Sequence, residues 1–325
     1  MTLAEQIELA CLLEATARKV GNVHPAAAFR DLDYADFADA ARAVAEPLAR
    51  AAETGLGRAV LCAIQATRAA RVRSNANLGI VLLLAPLSAV PVGVPLNEGV
   101  REVLARTTVE DAELVYEAIR LAKPGGLGKA ESQDVNAPPT MTLLATMALA
   151  ADRDRIAEQY ATNFTFILAV AEDWLLHDWP QLGLCPLSIF SRTGMRDEVP
   201  VAPWEAAIVK LHLRIMAHAP DSLIVRKCGS ELGEQVHRRA AELVDLDWPH
   251  TQASWSKFDE LDLWLRSDGH RLNPGTSADL VAAVLFAALR SGTIPFPSRD
   301  RLLSHAERLL FLPKSARQAP AIPSE

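Results

Sequence analysis

The chain has 325 residues, half of them hydrophobic, which is enough to bury a large core and too many for a mostly disordered protein. Its 33 Lys and Arg face 40 Asp and Glu, a formal charge of −7, and the lack of a long basic block argues against nucleic acid as the main partner. Cys11, Cys62, Cys185 and Cys228 are widely spaced without a Cys-x-x-Cys pair, so reduced, mostly buried thiols are expected rather than a disulfide framework or a zinc knuckle.

The first segment, MTLAEQIELACLLEATARK, places Leu3, Ile7, Ala10 and Cys11 at three- and four-residue spacing and predicts an amphipathic helix. Its acids, and the absence of a basic start before an apolar run, point away from a secretion signal and toward a cytoplasmic protein. Glu14 falls on the apolar side of this helix, where a carboxylate needs a cation, a hydrogen-bond donor or a shifted pKa. Two readings stay open: a structural pair with a neighbouring Arg, or a metal or substrate contact beside Lys19, Gly21, Asn22 and His24, where the helix ends.

The next polar stretch, Ser74 to Gly79 (SNANLG), precedes the most apolar segment, Leu78 to Leu96. That segment approaches membrane-spanning length, but Pro86, Pro91 and Pro95 interrupt it, so a buried helix ending near Ala85 is expected and no membrane span. Asn75 and Asn77 either cap this helix or read a nucleoside or amide.

Helical periodicity returns in VEDAELVYEAIRLA, after which KPGGLGKAESQDV (Lys123 to Val135) supplies Gly125, Gly126 and Gly128 together with Lys129 and Glu131. A helix C-cap and turn explain the glycines, and close backbone approach to a ligand is the other possibility. MTLLATMALAADRDRIAEQYA reads as another helical run. Asp221, Arg226 and Lys227 surround a short apolar run in DSLIVRKCGSE, as a solvated cluster or a phosphate clamp. In LNPGTSADL, Thr276 or Ser277 can cap the next helix with Asp279 in its first turn. Capping does not explain Asn273, Pro274 and Gly275 ahead of them.

Alternating β-branched strands are scarce, which predicts an all-α fold: one helical domain over residues 1–312 and a loose Pro-rich tail over 313–325. No phosphate-binding P-loop, GxGxxG, HExxH or GxSxG motif is present.

Taken in order, these segments resemble the triphosphoribosyl-dephospho-CoA synthase family. That family has a glutamate followed by a KPG turn, an NTHKG-type helix start, a Gly-rich turn with Glu, a DTN-type segment followed by Arg and Gly, and a late SPGGSADL motif. The counterparts are Glu14 with KVG at Lys19 to Gly21, NANLG at Asn75 to Gly79, GGLGKAE at Gly125 to Glu131, DSLIVRKCG at Asp221 to Gly229, and NPGTSADL at Asn273 to Leu280.

The resemblance implies an all-α transferase that joins ATP to 3′-dephospho-CoA with release of adenine, in prosthetic-group biosynthesis. It implies Mg²⁺ with the ATP, held by Glu14 and Asp279, and metal or general-base work for Glu14, Glu131 and Asp279. Lys19, Arg226 and Lys227 would meet phosphate, and Asn75, Asn77 and Asn273 would position the nucleotide. Gly21, Asn22, His24, Gly128, Lys129, Asp221 and Ser277 complete the candidate substrate contacts.

The departures that matter to chemistry are these: Val20 replaces the proline of KPG, and Asn77 and Leu78 replace the His and Lys of NTHKG. The last two remove an acid and a cation. Two alternatives follow, an enzyme of the same fold using another acceptor, such as a C1-carrying coenzyme precursor, and a noncatalytic helical binding protein. A homo-oligomer is compatible with all three.

Overall fold

The computed structural model describes residues 1–72, 74–126, 128, 132–183, 201–292 and 296–310. Lys129, Glu131, Cys185 and the tail 313–325 lie outside the described residues. Among those described there is no strand, only an isolated antiparallel bridge between His24 and Ala27, so the all-α expectation holds.

The first half of the chain forms α1 (Leu3–Thr16), α2 (Tyr34–Ala49), α3 (Ala51–Thr54), α4 (Leu56–Ala69), α5 (Leu78–Ser88), α6 (Leu96–Ala105), α7 (Val109–Ala122) and α8 (Leu143–Ala148). Then come α9 (Arg155–Ala161) and α10 (Thr165–Asp173), which runs on into a π-helical stretch, Trp174–Gly183. The remainder is α11 (Pro203–His218), α12 (Ser222–Cys228), α13 (Ser230–Asp245), α14 (Gln252–Arg266), α15 (Gly275–Ser291) and α16 (Arg299–Leu310). No helix among the described residues is long and apolar enough to cross a membrane.

The centre of the fold is α15, buried without interruption from Leu280 to Leu289 and packed on α1, α5, α10 and α11. A helix apolar on all sides must be enclosed on all sides. The same holds for most of α1: Thr2 and Glu5 close a capping box at its start, and every residue from Leu9 to Thr16 is buried. The expected amphipathic helix is therefore amphipathic only in its first turns.

Four local features differ from expectation, each for a visible reason. Helix α5 passes through Pro86 instead of stopping at Ala85, because the Leu82 carbonyl that Pro86 cannot bond accepts the Tyr160 hydroxyl at 2.7 Å. The run from Met141 to Ala161 is two helices, because Asp154 Oδ1 accepts from the amides of Ile156 (2.8 Å) and Ala157 (3.3 Å) and starts α9 there. The segment DSLIVRKCGSE, expected only as a charge cluster around a short apolar run, contains a helix, α12, started in the same way by Asp221.

The start of α15 is the fourth. Its flanking residue is Pro274, so Thr276 and Ser277 are already helical, Asp279 lies beyond the first turn, and no side chain of the helix caps it. The cap comes from another helix: Asp221 Oδ2 accepts from the Ser277 amide at 2.7 Å and its hydroxyl at 2.8 Å.

Candidate active site

A cavity of about 1370 Å³ opens where the start of α5, the end of α7 with its glycine turn, the α8–α9 break, the end of α12 and the loop before α15 meet. This volume exceeds the range usual for one small ligand. Of the catalytic and substrate-contact candidates, Asn75, Gly128, Arg226, Lys227, Asn273 and Asp279 line it.

Asp279 is half-buried in the wall, and among the described residues no hydrogen-bond donor reaches its carboxyl group. Burial, and then the negative charges of Glu14, Asp221 and Asp154, push this carboxyl well above the usual carboxylate range. Gly79 in α5 makes the approach possible, since a Cβ on that residue would stand 2.0 Å from Asp279 Oδ2.

Cationic groups line the same cavity. Arg226 and Lys227, in the last turn of α12, pass beneath the turn after α7. Gly126 adopts a positive φ of 72°, and a Cβ there would meet the Lys227 and Arg226 stems at 3.4 and 3.7 Å. Two segments nearly a hundred residues apart thus form one basic corner. Arg226 Nη1 donates to Asp154 Oδ2 at 2.6 Å, while burial and the Arg226 charge lower the Lys227 pKa. Arg68 adds a fixed positive group by donating to the Leu121 and Ala122 carbonyls at the end of α7.

The other described candidates do not line the cavity. Glu14 pairs with Lys19, Oε1 to Nζ 2.9 Å, and both are buried; the Lys19 ammonium also donates to the Glu14 carbonyl. Glu14 therefore pairs with a lysine, not an arginine, and neither group reaches the cavity. The Gly21 amide donates to Asp262 Oδ1 at 2.7 Å, and Asn22 Nδ2 lies 3.3 Å from His212 Nε2. His24 shares the bridge with Ala27, and burial followed by the Arg266, Arg18 and Lys19 charges holds its pKa well below the ordinary value. Asn77 donates to Thr67 Oγ1 at 3.1 Å, while Asn75 Oδ1 accepts the Leu78 amide at 3.1 Å. Asp221 is buried, not a solvated charge, and with Ser277 it ties α12 to α15. Lys129 and Glu131 lie outside the described residues.

Sequence reasoning missed Asp154, Arg68 and a stacked pair, Phe29 and His270, all lining the cavity. Asp154 had a signal, the polar DRD triplet between two apolar runs with Asp in N-cap position. Arg68 and Phe29 had none, because their partners lie on distant elements.

The family model for CitG, ATP:dephospho-CoA triphosphoribosyl transferase, matches residues 1–295. Among solved structures, the chain is similar to the crystal structure of a provisionally named triphosphoribosyl-dephospho-CoA synthase from Archaeoglobus fulgidus. The two share 25% identity and a TM-score of 0.56, over 78% of this chain and 98% of that one. No curated protein matches the chain.

Proposed function

Since the chain belongs to the ATP:dephospho-CoA triphosphoribosyl transferase family, we propose that its cavity binds ATP beside 3′-dephospho-CoA and that Asp279, Arg226 and Lys227 carry the site. The chemistry is ribosyl transfer. A bond forms from an acceptor hydroxyl oxygen to C1′ of the ATP ribose, the glycosidic bond to adenine breaks, the hydroxyl gives up its proton and adenine takes one up. The triphosphate is kept, which agrees with the lack of a P-loop.

The observation that carries this reading is Asp279, a carboxyl with no donor among the described residues, in one cavity with the Arg226 and Lys227 cations. Such a site must hold three phosphates and stabilise positive charge developing at C1′. Arg226 and Lys227 hold phosphate oxygens beneath the turn after α7. Asn273 positions the nucleotide, its Oδ1 buried without a hydrogen-bond partner in the cavity wall.

Magnesium fits here in one way. Among the described residues no three His, Cys, Asp or Glu side chains gather as a ready-made metal site, but Mg²⁺ commonly uses one or two carboxylates plus the phosphates of its nucleotide. The repulsion on Asp279 from Glu14, Asp221 and Asp154 is the condition a divalent cation relieves. Asp279 would hold the ion, which neutralises phosphate charge when bound; Glu14, paired with Lys19 in the core, would act only through its charge. Glu131 remains the candidate base for the acceptor hydroxyl.

A second reading has its own observation. Leu78 stands in the cavity wall where the family pattern has a lysine, and it is only 6% exposed. A cation is missing from that wall, which favours an acceptor with less phosphate to hold there. The test of the site is Asp279→Asn: turnover should fall sharply and the Mg²⁺ dependence should change, and unchanged values of both would remove Asp279 from the machinery.

A further inference from the structure

The wall of the cavity also carries an aromatic shelf with no role in the account above. The Phe29 and His270 rings stack at 4.0 Å between centroids with planes 27° apart, and both line the cavity. Phe29 comes from the loop after α1 and packs onto a small apolar cluster that includes Val23, Leu32 and Val72. The shelf is thus backed on the protein side, with His270 laid over it.

His270 is held there at a conformational cost. Its φ is +67°, the left-handed region that ring-bearing side chains seldom occupy, and its Nδ1 is buried without a hydrogen-bond partner. No hydrogen bond of the imidazole to a described residue explains the strain. Three residues on, the Asn273 amide faces the same cavity with its Oδ1 unpartnered, and the Asn273 and His270 backbones are joined by a hydrogen bond of 3.2 Å.

A planar ring face beside an unsatisfied amide suits one ligand class. Aromatic side chains stack on any base, and an Asn amide can pair with the adenine edge, accepting from its amino group and donating to its ring nitrogen. We infer that Phe29, His270 and Asn273 form an adenine subsite, the rings stacking the base and the amide reading its edge. This rests on the transferase reading, in which both substrates carry an adenine. The subsite holds either the adenine of ATP, which leaves, or that of dephospho-CoA, which stays.

The experiment is calorimetric binding of Mg-ATP, Mg-GTP, 3′-dephospho-CoA and inorganic triphosphate to the wild-type protein and to His270→Asn, His270→Tyr and Asn273→Ala, with thermal melts alongside. Asn tolerates the left-handed backbone, and Tyr restores a stacking ring. His270→Asn should weaken one adenine ligand on the order of ten-fold, the size of losing one base stack, with triphosphate binding unchanged and His270→Tyr close to wild type. Weakened ATP identifies the leaving base as occupant, and weakened dephospho-CoA the retained one. Asn273→Ala should weaken the same ligand and, where that is ATP, erase its preference over GTP. The subsite is overturned if His270→Asn binds both adenine ligands as wild type does, or loses triphosphate in parallel. Wild-type protein that binds neither adenine ligand overturns the subsite and the transferase reading together.

Discussion

Asp154 Oδ2 accepts from Arg226 Nη1 at 2.6 Å while its other oxygen caps α9, so one carboxylate both starts a helix and holds a cation at the cavity. The two residues are 72 apart in sequence. Asn caps a helix as well as Asp does but carries no charge. Asp154→Asn should therefore leave the melting temperature almost unchanged and raise the KM for ATP by about ten-fold, the effect of releasing one charge-assisted hydrogen bond. Steady-state kinetics with ATP varied would decide it, and an unchanged KM would show that Arg226 needs no such anchor.

Gly79 gives a sharper separation of stability from activity. Alanine in place of glycine favours a helix by about 1 kcal/mol, yet the new Cβ would stand 2.0 Å from Asp279 Oδ2 and 2.8 Å from Ile156 Cδ1. Gly79→Ala should displace the Asp279 carboxyl and reduce turnover roughly 10²-fold, the scale of a misplaced catalytic group, while the protein still folds.

The Asp221 cap predicts the reverse balance. It is buried and accepts from Leu223, Ile224 and Ser277, so Asp221→Ala leaves three amides and a hydroxyl without their partner. Loss of two caps at about 1 kcal/mol each, with unsatisfied buried donors besides, puts the cost at about 3 kcal/mol. Ser277→Ala, which keeps the amide bonds, should cost about 1 kcal/mol. Urea unfolding of both variants would show the ratio.

Acid sensitivity has two parts. Burial, with nearby positive charges that include Lys19, holds the pKa values of His24 and His212 well below 6.5, so the unfolded chain gains protons first and stability falls as pH drops below about 6.5. Glu205 acts lower. Burial alone would raise its pKa, but Arg18, bonded through Nε at 2.6 Å, and the His305 imidazole hold it well below the ordinary 4.5. Its stabilisation is complete above that value and is lost as pH falls beneath it. Glu205→Gln should lower stability at pH 7 by about 3 kcal/mol, as breaking a buried pair does, and flatten the urea midpoint below pH 4.5 while leaving the fall between 6.5 and 4.5 in place.

Periodicity and breaker residues were enough to read the helical fold, because spacing along one segment is a local property. Helix ends were read less well where the decisive partner was remote. Nothing near Pro86 announces that Tyr160 will take the orphaned Leu82 carbonyl, and nothing near Ser277 announces that its cap comes from Asp221. The same division runs through the site. Asn273, Arg226, Lys227 and Asp279 could be found because their segments carry unusual residue combinations, and all four line the cavity. Glu14 and Lys19 stood out equally in sequence, yet they satisfy each other in the core. A buried charge shows that something must answer it, and sequence does not say whether the answer is a ligand or a lysine.

The central claim, cleavage of the adenine–ribose bond of ATP with transfer of the triphosphoribosyl group, is tested most directly by incubating the purified protein with Mg-ATP, with and without 3′-dephospho-CoA, then measuring free adenine and the mass of the acceptor. The account predicts adenine release that depends on the acceptor, with a matching gain of one triphosphoribosyl group in the acceptor mass. ATP binding without adenine release or mass gain under these conditions would contradict it and shift the assignment to another acceptor, in the direction that Leu78 already points.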